Sequence, residues 1–441
     1  MNTYENIFLE KYSILNPEQK LAVDTVDGPV FVMAGPGTGK TQILTLRIAN
    51  ILRVVNDIEP ENILALTFTN AAAYNMRERL SSIVGGELAH RVTISTFHSF
   101  AEDTMKKFPE YFPQFTGARL MSPVEQIELL ESILKNMKNL QHFSKFKRRE
   151  NTVKSIAFSL GKIKSEGLSS DEFIQQVDEK YHADMEHPDM FYKRKYGKFE
   201  KGDIKVSAVR KLDAKRAKSM ELAEIYTAYQ DALVAQKLYD FSDLILSFVN
   251  ELHADTEFQT EIQEQYHYML VDEHQDTNDA QNKILHALID NPVWEGKPNI
   301  FVVGDTKQAI FRFAGASEKS YSQLSSKLEN ITTIELQKNY RSHQSILDTS
   351  HSLIKKSEHH SDEINLEAFF DKGGILEYRN FQNYKMENLF VAQNIKKQID
   401  DGKKPDDIAV LYRNNRDGAE ISHMLSVYGV PVRDYSKKNI L

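Results

Sequence analysis

The chain has 441 residues, 41% of them hydrophobic and 27% charged, with a formal net charge of −8. This is an ordinary globular balance, long enough for about three domains, and it argues against a protein coated in basic surface for nucleic acid. Cysteine is absent, which excludes disulfides, thiolate metal sites and cysteine nucleophiles and fits a reducing cytoplasm, the expected location.

No run of about 18 apolar residues is present, so no membrane span is expected. Met1–Asn6 has neither the basic nor the apolar segment of a secretory signal. Pro29–Ala34 is a short apolar run leading into a glycine-rich turn. Thr41–Val54 follows with helical spacing through Ile43, Leu44, Leu46, Ile48, Ile51 and Leu52. Asn62–Thr67 and Arg91–Thr96 are further buried-strand patterns, and strands alternating with helices predict βαβ units around a parallel sheet. From about Ala101 to Leu238 helical periodicity takes over, as in Pro123–Met137. His182–Lys205 is Tyr- and Lys-rich and predicts a loop. Met190–Met220 holds eleven Lys/Arg against three Asp/Glu, either a solvated helix face or a basic track. Strands return at Tyr268–Val271 and Ile300–Val303. Thr332–Leu336, Ile375–Asn380 and Ile408–Tyr412 predict a third α/β block, with another strand-like piece near Val430.

Ala34-Gly35-Pro36-Gly37-Thr38-Gly39-Lys40-Thr41 follows a strand and opens a helix, the context a phosphate-binding loop requires. Glycines let backbone N–H groups converge on phosphate oxygens, and the helix N-terminus adds partial positive charge. Lys40 is placed to reach β- and γ-phosphates and the Thr41 hydroxyl to take Mg²⁺. A glycine-rich turn that binds nothing is the bland alternative. Tyr268–Val271 then runs into Asp272-Glu273, which puts two carboxylates at the carboxyl edge of a central strand, where ligands bind in open α/β sheets. Asp272 is the candidate Mg²⁺ ligand and Glu273 the candidate base for an attacking water.

Val271-Asp272-Glu273-His274-Gln275-Asp276-Thr277-Asn278 closely resembles the Walker B signature of superfamily 1 DNA helicases of the UvrD/Rep type. Other blocks follow in the family's order, from about residue 15 to 430. Leu15-Asn16-Pro17-Glu18-Gln19 resembles the adenine-reading Q motif, Thr67–Ala73 motif Ia, and Thr96–Phe100 motif Ib. Asp240–Ile245 resembles a short acidic motif before Walker B, Gly304–Ala316 motif III, Asn339–Ser342 motif IV, and Ile408–Arg413 the strand after it.

The resemblance implies an α/β fold with a RecA-like P-loop motor domain (residues 1–105 and 239–331), a helical insertion (106–238) and the first part of a second RecA-like domain (332–441). It implies an ATP-dependent 3′→5′ helicase or translocase using ATP and Mg²⁺ on single-stranded and duplex DNA, with ATP bound between the motor domains. Catalysis would rest on Lys40, Asp272, Glu273, Gln308 as γ-phosphate sensor and Arg341 as an arginine finger reaching from the second motor domain. Nucleotide would be held by Gln19, Ala34, Gly35, Pro36, Gly37, Thr38, Gly39, Lys40, Thr41, Gln42 and Tyr340, with Tyr340 stacked on adenine. Phe68, Thr69, Asn70, Thr96, Phe97, His98, Phe311 and Phe313 would line single-stranded DNA, Phe313 in preference to Phe311.

Several positions depart from the family pattern. Ala34 replaces the usual first glycine of the loop, a variation the family commonly shows, while His274 stands for Phe or Tyr, Gln42 for arginine, Ala71 for lysine, and a second arginine usual near Ala314 is missing. The last three remove cations, so weaker phosphate contacts, or compensation elsewhere, are expected. The family's motifs V and VI do not appear before Leu441, so a fragment of a longer helicase is expected. The alternatives are the helicase portion of a helicase–nuclease of the RecB/AddA kind, and a fragment that binds ATP and DNA with little turnover. The His359-His360 pair reads as solvated.

Overall fold

A computed structural model describes residues 3–138, 140–143, 149–197, 199–305, 324–355, 366–370 and 373–433. Two compact units divide the chain, Met1–Gly373 and Gly374–Leu441. In the first, α1 (Thr3–Ser13) and α2 (Pro17–Asp24) precede β1 (Val30–Ala34) and α3 (Lys40–Val54). Next come β2 (Ile63–Thr67), α4 (Asn70–Val84), α5 (Gly86–Arg91), β3 (Thr93–Thr96) and α6 (Phe97–Lys107). A helical stretch follows: β4 (Arg119–Leu120), α7 (Pro123–Asn136), α8 (Arg149–Ser165), α9 (Ser170–Glu186), α10 (Val206–Ala235) and β5 (Leu238–Tyr239). The chain then supplies α11 (Phe241–Ala254), α12 (Thr256–Gln265), β6 (Tyr268–Val271), α13 (Asp279–Ile289), β7 (Ile300–Gly304) and β8 (Thr332–Leu336).

Six strands form one parallel sheet in the order β3-β2-β6-β7-β1-β8. Successive strand residues point to opposite faces, and here both faces are covered. Val30, Val32, Ile63, Ala65, Tyr268, Leu270, Phe301 and Val303 pack into one core with α3 and α4. Phe31, Leu64, Leu66, Met269, Val271, Ile300 and Val302 enter the other, against α6, α11 and α13. Burial on both sides explains why the strands are continuous apolar runs rather than alternating ones.

The α7–α10 stretch has its own core of Leu130, Val153, Ile156, Leu160, Ile225, Tyr226, Tyr229 and Leu233. Its root is tied to α11 by charge. Lys164 of α8, with no side-chain exposure, lies 2.7 Å from Asp240 Oδ2 and 2.6 Å from Asp243 Oδ1. Tyr229 donates its hydroxyl to Asp240 and Gln230 its amide to Asp243. Burial opposes both carboxylates. Lys164 prevails at Asp240, which sits below its ordinary range, whereas burial and the charge of Asp240 hold Asp243 above it.

Five expectations are corrected. Thr332–Leu336 does not open a separate sheet: as β8 it pairs with β1, Val30 opposite Thr332, and buries Ile334 and Leu336 in the first core. Ile375–Asn380 and Ile408–Tyr412 are not strands. They have no ladder partner among the described residues, and Ile375 and Leu411 are 90% and 95% exposed. The strand expected at Arg91–Thr96 starts at Thr93, because Arg91 closes α5 and pairs with Glu61 at 2.7 Å. Of the loop expected at His182–Lys205, the first residues continue α9 to Glu186. Within the second unit, helices Tyr384–Asp400 and Asn415–Val427 pack through Ala392, Ile395, Leu425 and Val430.

Candidate functional site

The phosphate-loop sequence occupies the turn from β1 into α3, at the carboxyl edge of the sheet. Thr38 is buried and donates its hydroxyl to Gly35 O at 2.8 Å, which closes the loop on itself. Gly39 opens α3 at φ +91°, and Lys40, Thr41 and Gln42 form the first helical turn, partly exposed. Ala34 is buried as the last residue of β1.

Gln19 is buried beneath this loop. Its side-chain N donates to Thr38 O at 2.8 Å, while its side-chain O accepts from Asn16 N in the capping box of α2. Asn16 also reaches the Tyr340 hydroxyl at 3.3 Å.

The Asn339–Ser342 segment rests directly on the loop. Asn339 is buried, donates its amide to Pro36 O, and accepts from Arg341 N at 2.9 Å and Ser342 N at 2.7 Å. Tyr340 N donates to Gly37 O at 2.8 Å. Gly37 has φ +71°, and a Cβ there would lie 2.5 Å from Arg341 Cβ. Arg341 therefore sits within the same compact unit as the loop, exposed and without an acidic partner among the described residues. The Tyr340 ring lies 5.2 Å from that of Phe369, which is exposed.

β6 delivers Asp272 and Glu273 beside the loop. Lys40 Nζ lies 2.7 Å from Glu273 Oε2. Glu273 takes a left-handed backbone (φ 50°, ψ 44°), uncommon for a residue with a side chain and concentrated at functional sites. Gln275 donates to Glu273 Oε2 at 2.6 Å and accepts from Asp305 N at 2.8 Å, bridging the ends of β6 and β7. Asp272 is buried, and desolvation together with the charge of Glu273 pushes its carboxyl up to about 7 against the pull of Lys40. Two carboxylates held this close, one of them deprived of water, fit a site that accepts a further cation. The donor set suits Mg²⁺, which takes one or two carboxylates and completes its shell with phosphates and water.

The residues expected along DNA divide. Thr69 and Asn70 are exposed at the start of α4, where the Thr69 hydroxyl caps Ala72 N. Phe68 is half-buried. Thr96 caps α6 through Ser99 N and is buried. Phe97 is corrected from lining residue to core: it is 2% exposed and packs with Phe100 and Leu66. His98 instead stacks on Phe241 with centroids 4.0 Å apart, and burial lowers its imidazole to about 4. Gln308, Phe311 and Phe313 lie outside the described residues, as do Ala314 and His359-His360.

Sequence reasoning missed Gln275, Asn339 as the clamp on Pro36, and Phe369 beside Tyr340. Gln275 and Asn339 lay inside matched motifs, which was a usable signal; Phe369 stood in no motif.

A parallel α/β sheet with this loop and these carboxylates at its edge defines a RecA-like P-loop protein. Residues 15–329 match the model of the UvrD/REP helicase N-terminal domain, and residues 334–440 that of the UvrD-like helicase C-terminal domain. The chain belongs to the UvrD/REP helicase family. It is 32% identical over 431 residues to the ATP-dependent DNA helicase PcrA of Bacillus subtilis (strain 168), covering 98% of this chain and 51% of that protein. It is 29% identical over 437 residues to the PcrA of Leuconostoc citreum, covering 97% and 51%. The chain spans about half the length of the curated relatives it matches.

Proposed function

We infer that this chain carries the ATP-hydrolysing core of a DNA helicase motor that moves along single-stranded DNA. The 3′→5′ direction rests on the family resemblance alone. The observation that carries the reading is the meeting of Lys40 with Glu273 at 2.7 Å, beside buried Asp272, at the mouth of the loop.

In the proposed cycle the β- and γ-phosphates lie along the loop backbone and take Lys40 from Glu273. Glu273, released from its ion pair and still held by Gln275, accepts the proton of the attacking water. Thr41 and Asp272 would hold Mg²⁺, which would supply charge neutralisation on the phosphates. Arg341, anchored on the loop through Asn339, stabilises the transferring phosphoryl group. Tyr340 stacks on adenine and Gln19 reads its edge, while Gln308 senses the γ-phosphate. Phe68, Thr69 and Asn70 face single-stranded DNA. Residues 1–105 and 239–331 serve as the first motor domain and 106–238 as its insertion. The second motor domain begins beyond β8, which lies in the first sheet.

The test is ATP hydrolysis by this polypeptide with and without single-stranded DNA, beside Lys40→Ala. Stimulation by DNA that disappears in the variant is the expected result. Failure of the wild-type chain to bind nucleotide at all overturns the reading.

A further inference from the structure

Residues 190–205 contain four aromatic residues and six Lys/Arg against two Asp/Glu. The segment folds back on itself between α9 and α10. Tyr192 N bonds Asp203 O at 2.9 Å and Lys205 N bonds Met190 O at 2.8 Å; at the tip, Tyr196 N and Phe199 O, and Phe199 N and Tyr196 O, exchange bonds of 2.9 and 3.0 Å. Within this fold three rings lie nearly parallel. Tyr192 lies 4.9 Å from Phe199 at 11° and 6.0 Å from Tyr196 at 10°.

Aromatic pairs inside a core commonly meet edge to face, as Phe100 and Phe248 do at 85°. A parallel stack on the surface is different, because its outer ring offers a flat face to anything that stacks. Tyr196 is that ring, at 69% exposure. Around the stack, Lys193 is paired with Asp189 and Lys195 with Glu200. Arg194, Lys201, Arg210 and Lys211 are exposed and have no acidic partner among the described residues. On α10, Lys215 and Arg216 are spent on Asp184 and Asp178 of α9.

Flat aromatic faces combined with unpaired cations are the two elements of sequence-tolerant recognition of single strands, bases on rings and phosphates on cations. A duplex keeps its bases stacked on one another and would use only the cations. We propose that this hairpin is a binding site for single-stranded DNA, with an unpaired base stacked on Tyr196 and phosphates held by Arg194 and Lys201. The proposal rests on the DNA reading of the chain and places a contact outside the family's motifs.

The test is binding of a fluorescein-labelled oligothymidylate by anisotropy, across a salt series. Tyr196→Ala weakens binding about 5- to 140-fold, the range of one lost base stack, while Tyr196→Phe keeps it. Arg194→Ala and Lys201→Ala each lower the slope of log K against log salt by about 0.7. Duplex binding falls in the two cation variants and not in Tyr196→Ala. If the wild-type chain binds the oligonucleotide and Tyr196→Ala binds it equally well, the hairpin faces solvent or a protein, and this proposal fails while the proposed function stands. If the wild-type chain binds no oligonucleotide, the proposed function fails with it.

Discussion

Lys40 and Glu273 meet at 2.7 Å, although 233 residues separate them in the chain. The ion pair joins the loop after β1 to the end of β6, and in the proposed cycle Glu273 keeps this partner until phosphate takes Lys40. Glu273→Gln is therefore expected to leave nucleotide binding intact and to lower hydrolysis about 10²- to 10⁴-fold, the usual contribution of a general base. Lys40→Ala is expected to lose both. Phosphate release and titration with a fluorescent nucleotide separate the two effects, and a Glu273→Gln variant with wild-type turnover would remove Glu273 from the chemistry.

The contact between Gly37 and Asn339–Arg341 makes a second prediction. A methyl group at Gly37 meets Arg341 Cβ at 2.5 Å and Asn339 Nδ2 at 2.8 Å, and the backbone there is left-handed. Gly28 is also left-handed, at φ +76°, but has nothing within 4 Å of an added Cβ. Gly28→Ala thus reports conformational strain alone, about 1–3 kcal/mol. Gly37→Ala adds displacement of the segment, and it should melt at a lower temperature and bind nucleotide more weakly. Equal melting temperatures for the two variants would mean that the segment yields freely.

The difference between what was legible in the sequence and what was not follows from the range of the interactions. The loop and the Asp272-Glu273 pair are contiguous and sit at strand ends, so periodicity and residue type located both. Contacts that join distant segments left no such trace. Lys164 is one lysine among several in α8, and nothing local marks it as the partner of Asp240 and Asp243. Phe97 and His98 are adjacent, and only the packing of α6 against the sheet decides that Phe97 turns inward. Ile375–Asn380 carries a strand-like pattern, yet a strand requires a neighbour to bond with, and its own residues do not encode one.

His98 gives the pH prediction. Burial lowers its imidazole from 6.5 to about 4. Between those values the unfolded chain binds a proton at this site that the folded chain does not, so stability falls as the pH drops from about 6.5 towards 4 and is fully present above that window. His274 titrates in the same direction, so a difference measurement is needed. His98→Phe keeps a ring against Phe241 and removes the titration. Melting curves at pH 7.5 and 5.0 should show a smaller acid-induced loss in the variant than in the wild-type chain. An identical loss would place the pH sensitivity elsewhere.

The charge cluster at the root of the insertion carries the last prediction. Lys164 is flanked by two carboxylates, and its ammonium also lies 4.9 Å from the centre of the Tyr229 ring. Lys164→Met preserves length and apolar bulk but leaves Asp240 and Asp243 facing each other with reduced access to water. Removing one partner of a buried pair costs about 3–5 kcal/mol, because the remaining charge is uncompensated. The urea midpoint should fall accordingly. Adding Asp243→Asn to Lys164→Met should restore part of the loss, since it removes one of the two stranded charges while Gln230 can still bond the amide. This recovery separates electrostatics from packing: a cavity left by the lysine stem would persist in the double variant, whereas like-charge repulsion would not. No recovery would mean that α8 is held to α11 by shape and not by the ion pairs.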